Sequence, residues 1–203
     1  MAYTGGASEF GVRPLALGRR GMVASANPLA TQAGIQMLAA GGTAVDAAVA
    51  AAAAITVTEP YFSGLGGIGI AVLTLPTGET RTLNFMGRSP SAARAELFTS
   101  KTQDLGPMAP MVPGIVAGWA RLHDEFGRLT RAQVLEPAIE LADHGIPVTV
   151  FDHERNLQSV DRLTPHPTPR ARTFAPAGPT RRARCSASLA LRRRSGRWWT
   201  RDG

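Results

Sequence analysis

The glycines that follow Glu59 have the spacing of a nucleotide-binding loop. The stretch EPYFSGLGGIG reads Gly-x-Gly-x-x-Gly from Gly64 to Gly69. A dinucleotide loop follows a strand and opens a helix whose N-terminus holds the pyrophosphate. Here an alanine-rich, helix-forming run precedes the loop and a β-rich run follows it, so we predict neither NAD nor FAD and no other cofactor. The alternative is structural: Gly64, Gly66, Gly67 and Gly69 permit a tight turn with positive φ and a close approach of the backbone.

Histidine and cysteine offer no metal chemistry in this sequence. The single cysteine, Cys185, excludes an internal disulfide framework and a cysteine-based metal cluster. The four histidines lack the spacing of metal ligands, and we predict that they are solvated or lie on helix surfaces. They are His123, His144, His153 and His166. No metal site is predicted.

Four acidic residues also have the pattern of solvent-exposed helix positions. Asp124–Glu125 and the pair Glu136 and Glu140 fit exposed helical positions better than a catalytic carboxylate pair. Asp46 differs, because it is surrounded by alanine and valine in AVDAAVA. We predict that Asp46 is buried and caps the N-terminus of a helix close to Thr43.

Helix-capping residues, and the glycines and prolines that end helices, predict the secondary-structure elements that position these residues. Helices are predicted over about 28–40, 44–58, 113–127 and 130–145, with a short one over about 152–160. The run 69–75, Pro-Thr-Gly and 79–85 predicts a β-hairpin. Pro137 should kink the fourth helix or mark a fresh start. The fold class is therefore α+β, with too few strands for a complete sheet.

Net charge divides the chain into two unlike parts. Residues 1–161 hold 11 Lys+Arg against 14 Asp+Glu, a net of −3, whereas residues 162–203 hold 11 Arg against one acid, a net of +10. The second part contains no lysine. It is either a basic tail that binds nucleic acid through phosphate contacts and two tryptophans, or a GC-rich gene read out of frame. The absence of lysine favours the second interpretation, and the tail is expected to be disordered.

Several motifs, in a fixed order, indicate a family. From Gly21 to Val150 the chain contains GMVAS, LAAGGTAVDAAVA, EPYFSGLGG, VPGIVAGW and VLEPAIELADHGIPV. This segment resembles the N-terminal part of the γ-glutamyltranspeptidase family. The resemblance implies part of an αββα N-terminal-nucleophile hydrolase sandwich. It predicts a flexible N-terminus over 1–20, a partial domain over 21–165 and a tail over 166–203.

The resemblance also implies a chemistry that needs residues absent from this sequence. In such enzymes a precursor cleaves itself, and the exposed threonine of the small subunit attacks a γ-glutamyl amide with its own α-amino group as base. Hydrogen-bond donors stabilise the oxyanion, and water or an amino acid accepts the acyl group. No Thr-Thr-His or Thr-Ser-His sequence occurs here. We therefore predict no catalytic residue in the chain, which should be silent alone and aggregation-prone or only partly folded.

One residue carries the substrate prediction. In transpeptidases of the family, the segment after the hairpin reads like Leu-Asp-Phe-Arg-Glu-x-Ala-Pro. Its arginine pairs with the substrate α-carboxylate. This chain has LNFMGRSP, with Met86 at the arginine position, Gly87 at the glutamate position and Arg88 two residues later. A bend at Gly87 can bring Arg88 to the same pocket, and Arg88 is the predicted substrate-binding residue. An unpaired surface arginine is the alternative.

The expected partners follow from these interpretations. They are a γ-glutamyl or related amide substrate and a small subunit. The alternative functions of the chain are an amide hydrolase of the oxamate type, a non-catalytic partner of a separate small subunit, and a nucleic-acid binder. The last of these is disfavoured. No signal peptide or run of about 18 apolar residues is visible, so no membrane contact and a cytoplasmic location are expected.

Overall fold

The computed structural model describes residues 16–100, 102–104, 106 and 108–163. The predicted tail over 166–203 lies outside these residues. Within them the chain has an α+β arrangement of five α-helices, one short 3-10 helix and two strands. In chain order these are α1 Pro28–Ala39, α2 Ala44–Thr58, β1 Ile70–Thr74, β2 Thr80–Asn84, the 3-10 helix Ala95–Leu97, α3 Ile115–Phe126, α4 Arg131–His144 and α5 Val150–Leu163.

Side-chain caps begin the first helices where the sequence predicts them. The Asn27 side chain accepts from the Leu29 N–H at 2.9 Å, and Pro28 occupies the first helical position. Thr43 with Asp46, and Thr130 with Gln133, form the two capping boxes that begin α2 and α4. The predicted α5 is confirmed and extends over more residues than expected.

Helix α2 is the centre of the core. It packs against α1, α3 and α4, and 11 of its 15 residues are buried. Because most of its side chains are Ala or Val, neighbouring helices approach it closely on several sides. Larger side chains from the surrounding helices, such as Met37, Trp119 and Val134, complete this core.

The predicted hairpin is confirmed as an antiparallel pair. The register runs from Ile70 opposite Asn84 to Thr74 opposite Thr80, and Gly78 in the turn has φ +85°. Leu73 and Leu83 pack against the helical core, whereas Ile70 and Val72 on the opposite face are 57% and 68% exposed. These two strands are the whole sheet of the described chain, and the predicted αββα sandwich stays an expectation.

Pro137 does not end a helix. The predicted fresh start is wrong, because α4 continues from Arg131 to His144 through this residue. Proline cannot donate to the Gln133 carbonyl, but its ring is buried, and the packing offsets the missing hydrogen bond. None of the helices in the described ranges is both long and apolar enough to cross a membrane.

Candidate functional site

The glycines of the loop do not serve the turn geometry that the sequence suggested. The prediction of positive φ is wrong for Gly64, Gly66, Gly67 and Gly69, none of which has it. Close approach is confirmed at two positions. A Cβ on Gly67 would lie 3.0 Å from the Gly64 carbonyl oxygen, and one on Gly69 would lie 2.5 Å from the Phe85 ring. A Cβ on Gly64 or Gly66 would meet no described atom within 4 Å.

Phe85 is the residue that the surrounding glycines accommodate. Its ring lies against the Cα positions of Gly69 and Gly118, and its backbone lies against Gly114. A Cβ at any of the three would overlap Phe85. The Phe85 N–H also donates to the Gly69 carbonyl at 3.0 Å, one pair beyond the hairpin register. Glycines from two distant motifs therefore fix the chain as it leaves β2.

The glycine loop also begins α3. This helix has Gly114 at its N-cap and no side-chain cap. The Gly67 carbonyl accepts instead from the N–H groups of Gly114 and Ile115, at 3.1 and 3.0 Å. Two of the unpaired donors at the helix N-terminus are thus satisfied by the loop. The loop, the end of β2 and the start of α3 consequently form one packed unit.

Arg88 lies at the edge of this unit on a fixed backbone. Its carbonyl accepts from the Val112 N–H at 3.0 Å. A Cβ on Gly87 would lie 2.5 Å from the Val112 carbonyl oxygen, so only glycine fits where the chain turns toward Arg88. The Arg88 side chain is exposed and has no hydrogen bond or ion pair with any described residue. We name residues 64–69, 85–88 and 111–118 the Arg88 corner.

A second polar cluster attaches the glycine loop to α5. The Tyr61 hydroxyl donates to Asp152 Oδ1 at 2.6 Å, and Asp152 also accepts from the Thr149 N–H and hydroxyl at 2.9 and 2.8 Å. Burial and the bond to Asp152 raise the pKa of Tyr61 well above its usual value. Burial alone would raise the pKa of Asp152, but the hydrogen bonds from Tyr61 and Thr149 outweigh it and hold the pKa below its usual range.

The buried acid predicted at Asp46 is confirmed, and its partners include one residue close by and others far along the chain. Its carboxylate is inaccessible to solvent. It accepts from the Thr43 N–H at 2.7 Å and from the Arg128 N–H at 3.0 Å. It therefore caps α2 and joins that helix to the turn between α3 and α4.

The prediction of solvated or helix-surface histidines is wrong for His123. Its side chain is 11% exposed, and Nε2 lies 3.5 Å from Asp46 Oδ1 and 2.8 Å from the Leu129 carbonyl oxygen. The sequence signal was present but local: His123 stands one turn before Gly127, where the helix ends and the chain turns back onto the buried acid. Tyr61, Phe85 and Asp152 were also missed, because nothing in the sequence pairs them.

The other predicted positions hold no assembled site. His144 and His153 are exposed, as are the four acids predicted to lie on helix surfaces, Asp124, Glu125, Glu136 and Glu140. His166 and Cys185 lie outside the described residues. No group of three or more His, Cys, Asp or Glu in the described part of the chain is placed to hold a metal ion.

A cleft of about 350 Å³ lies between α1 and α4, with Gln32, Gln36, Glu140 and His144 among its lining residues. None of its lining residues belongs to the Arg88 corner. The cleft is therefore separate from the Arg88 corner. The Arg88 corner remains the candidate functional site, because Arg88 has no ion pair among the described residues and its carbonyl is hydrogen-bonded to the Val112 N–H.

Comparison with known proteins gives a consistent result. The family described as Gamma-glutamyltranspeptidase matches residues 30–185. The chain is 38% identical over 149 residues to the Acylase ACY 1 proenzyme of Pseudomonas sp. (strain SE83), covering 67% of this chain and 27% of the relative. It is 36% identical over 137 residues to the Glutathione hydrolase proenzyme of Escherichia coli (strain K12), covering 64% and 24%. The chain thus spans about a quarter of the length of these curated relatives.

Solved structures agree with the sequence relatives. The cephalosporin acylase from Bacillus halodurans superposes with a TM-score of 0.79 at 32% identity, covering 97% of this chain and 39% of the other. The γ-glutamyltranspeptidase of Helicobacter pylori superposes with a TM-score of 0.77 at 30% identity, covering 81% and 49%. The motifs that the sequence presents in order therefore lie on a backbone arrangement that these proteins share.

Proposed function

Because the chain belongs to the gamma-glutamyltranspeptidase family, we propose that it forms part of the acyl-binding site of an amidase. The reaction is acyl transfer to water or to an amino acid. The acyl donor is a γ-glutamyl amide or a related amide that carries a carboxylate. Acylase and glutathione hydrolase proenzymes among the relatives support both donors.

The observation that carries the proposal is that Arg88 makes no ion pair or side-chain hydrogen bond with the described residues. A guanidinium in this state is available for a bidentate contact with a substrate carboxylate. Gly87 lets the backbone pass close to the Val112 carbonyl, and the Val112 N–H donates to the Arg88 carbonyl. The side chain therefore starts from a fixed point, which lowers the entropy lost when the substrate binds.

The nucleophile belongs to a second component in this proposal. The chain has no sequence of the Thr-Thr-His or Thr-Ser-His type, and the relatives are named as proenzymes. A small subunit bearing a threonine would supply the attacking hydroxyl and its base. The 203-residue chain alone would then bind without turnover.

Hydrolysis of a γ-glutamyl anilide tests both parts. The purified chain should release no aniline, and co-expression with the reading frame that follows its gene should yield a stable, active complex. In that complex Arg88→Gln should raise KM about tenfold or more, since a charge-assisted contact is lost, with Arg94→Gln as the matched control. Turnover by the chain alone would refute the silent state, and an unchanged KM would refute the role of Arg88.

A further inference from the structure

The segment that leads from β2 to Arg88 is held by a side chain as well as by the backbone. The Met86 N–H donates to Asn84 Oδ1 at 2.9 Å. A hydrogen bond from the backbone to an asparagine side chain two residues earlier closes an Asx turn. Asn84 is the last residue of β2, so the strand ends in this turn.

The geometry of the hairpin explains why a side chain accepts from Met86. The Phe85 N–H donates to the Gly69 carbonyl at 3.0 Å and therefore points toward the strand β1 side of the hairpin. Successive N–H groups of a strand point to opposite edges, so β1 offers no acceptor to the Met86 N–H. The Asn84 side chain supplies that acceptor.

The backbone is also fixed on the far side of this turn. A Cβ on Gly87 would lie 2.5 Å from the Val112 carbonyl oxygen, and the Val112 N–H donates to the Arg88 carbonyl at 3.0 Å. The Asn84–Met86 bond and the Val112–Arg88 bond thus enclose the three residues 86–88. The position of the Arg88 backbone follows from both bonds together.

We propose that Asn84 is a positioning residue for Arg88, because its side-chain oxygen fixes the turn that sets the Arg88 backbone. This inference rests on the proposed function, in which Arg88 binds the substrate carboxylate. Asn84 does not touch the substrate, and it acts through the Met86 N–H. The role needs only a hydrogen-bond acceptor at position 84.

The benefit of such a turn is preorganisation. A long arginine side chain loses rotamer freedom when it binds a carboxylate. A backbone that is already ordered adds no further loss, so the free energy of the contact is retained as affinity. Removal of the acceptor at Asn84 should therefore weaken binding while the charge of Arg88 stays in place.

Hydrogen–deuterium exchange resolved to single amides tests the turn on the full chain. Asn84→Ala should speed exchange at Met86 and at Val112 about fivefold, because one hydrogen bond is lost and the second depends on it. Asn84→Asp keeps an acceptor and should retain the protection of both amides. Thr82→Ala, at an exposed position of the same strand, is the control. Faster exchange at Met86 alone would show that the turn does not hold the Arg88 backbone and would overturn the inference.

Binding of a γ-glutamyl anilide to the full chain, measured by isothermal titration calorimetry, tests the consequence for the substrate. Asn84→Ala should raise Kd about three- to tenfold, and Arg88→Gln about tenfold or more. Asn84→Ser, whose neutral hydroxyl also accepts from the backbone two residues on, should recover most of the affinity. In the Arg88→Gln background, Asn84→Ala should raise Kd no further, since its effect passes through Arg88.

The outcomes distinguish this inference from the proposed function. Arg88-dependent binding that Asn84→Ala leaves unchanged would overturn the inference and leave the proposed function standing. Binding that does not depend on Arg88, or no binding at all, would overturn both. An equal effect of Asn84→Ala with and without the Arg88 guanidinium would show that Asn84 acts on the fold as a whole, and it would overturn the inference.

Discussion

At the residue scale, Asp46 joins two parts of the described fold that are far apart in the chain. Its inaccessible carboxylate accepts from backbone N–H groups at both ends of a long chain segment. A charged acceptor buried in this way stabilises only while its donors are present. The same donors lose their partner if the carboxylate is removed.

Asp46→Ala should therefore lower the free energy of unfolding by about 3 kcal/mol. Glu136→Ala, which removes an exposed acid from α4, should change it by less than about 0.5 kcal/mol. Urea titration followed by circular dichroism measures both, with the midpoint compared at constant m-value. Equal midpoints for the two variants would contradict the role assigned to Asp46.

The hydrogen bond between Tyr61 and Asp152 predicts that the stability of the protein depends on pH, with one limit in acid and one in base. The pKa of Asp152 is lowered, so its contribution to stability is complete above about pH 4 and is lost as the pH falls through the folded value. The pKa of Tyr61 is raised, so its contribution is complete below about pH 10 and is lost as the pH rises above that. The contact should attach the loop to α5 throughout the range between these limits.

Tyrosinate absorbance checks the upper limit. The sequence has two tyrosines, so a Tyr3→Phe background isolates Tyr61. Its ionisation should begin well above pH 10, and Asp152→Asn should move it down toward the usual value because the neighbouring negative charge is gone. Ionisation at the same pH in both proteins would show that the contact is absent in solution.

At the element scale, the sequence predicted the helices and the hairpin but not what holds them together. Asn27, Thr43 and Thr130 begin their helices through local bonds, which is why residue type and spacing were sufficient. The contacts around Phe85 and His123 join residues far apart in the chain. Nothing in the local pattern specifies such pairs, so the Arg88 corner could be predicted only as a single residue and not as an assembly.

The two kinds of glycine at the corner should respond oppositely to alanine. Gly114→Ala should lower the free energy of unfolding by about 1–3 kcal/mol, because its Cβ meets the Phe85 backbone. Gly66→Ala should raise it by about 0.4–1 kcal/mol, because its φ is not positive, the space is open and the unfolded chain loses freedom. Urea midpoints of the two variants give the comparison. A loss of stability in Gly66→Ala would mean that the loop conformation differs in solution.

At the scale of the whole molecule, the described chain leaves one face of a two-stranded sheet uncovered. Ile70 and Val72 lie together on that face and are mostly exposed. Contiguous apolar surface of this kind favours association. The family relatives are about four times as long as the matched segment.

Replacing Ile70 and Val72 together by Thr should reduce self-association of the purified chain and lower its binding of the dye 1-anilinonaphthalene-8-sulfonate. Threonine keeps the β-branched shape that suits a strand while it removes apolar area. Leu157→Thr, at a similarly exposed position on α5, is the control. Sedimentation velocity gives the association state, and equal behaviour of the double variant and the control would assign the association to another surface.

The burial of Asp46 also has a consequence for folding during synthesis. The Asp46 carboxylate accepts from a backbone N–H group that lies 82 residues further along the chain. At a synthesis rate of about 5–20 residues per second, roughly 4 to 16 s pass before that donor exists. During this interval a nascent alanine-rich helix exposes its apolar sides beside a charge that has no distant partner. Chaperone contact with the growing polypeptide should therefore be greatest between the emergence of residue 58 and the emergence of residue 128.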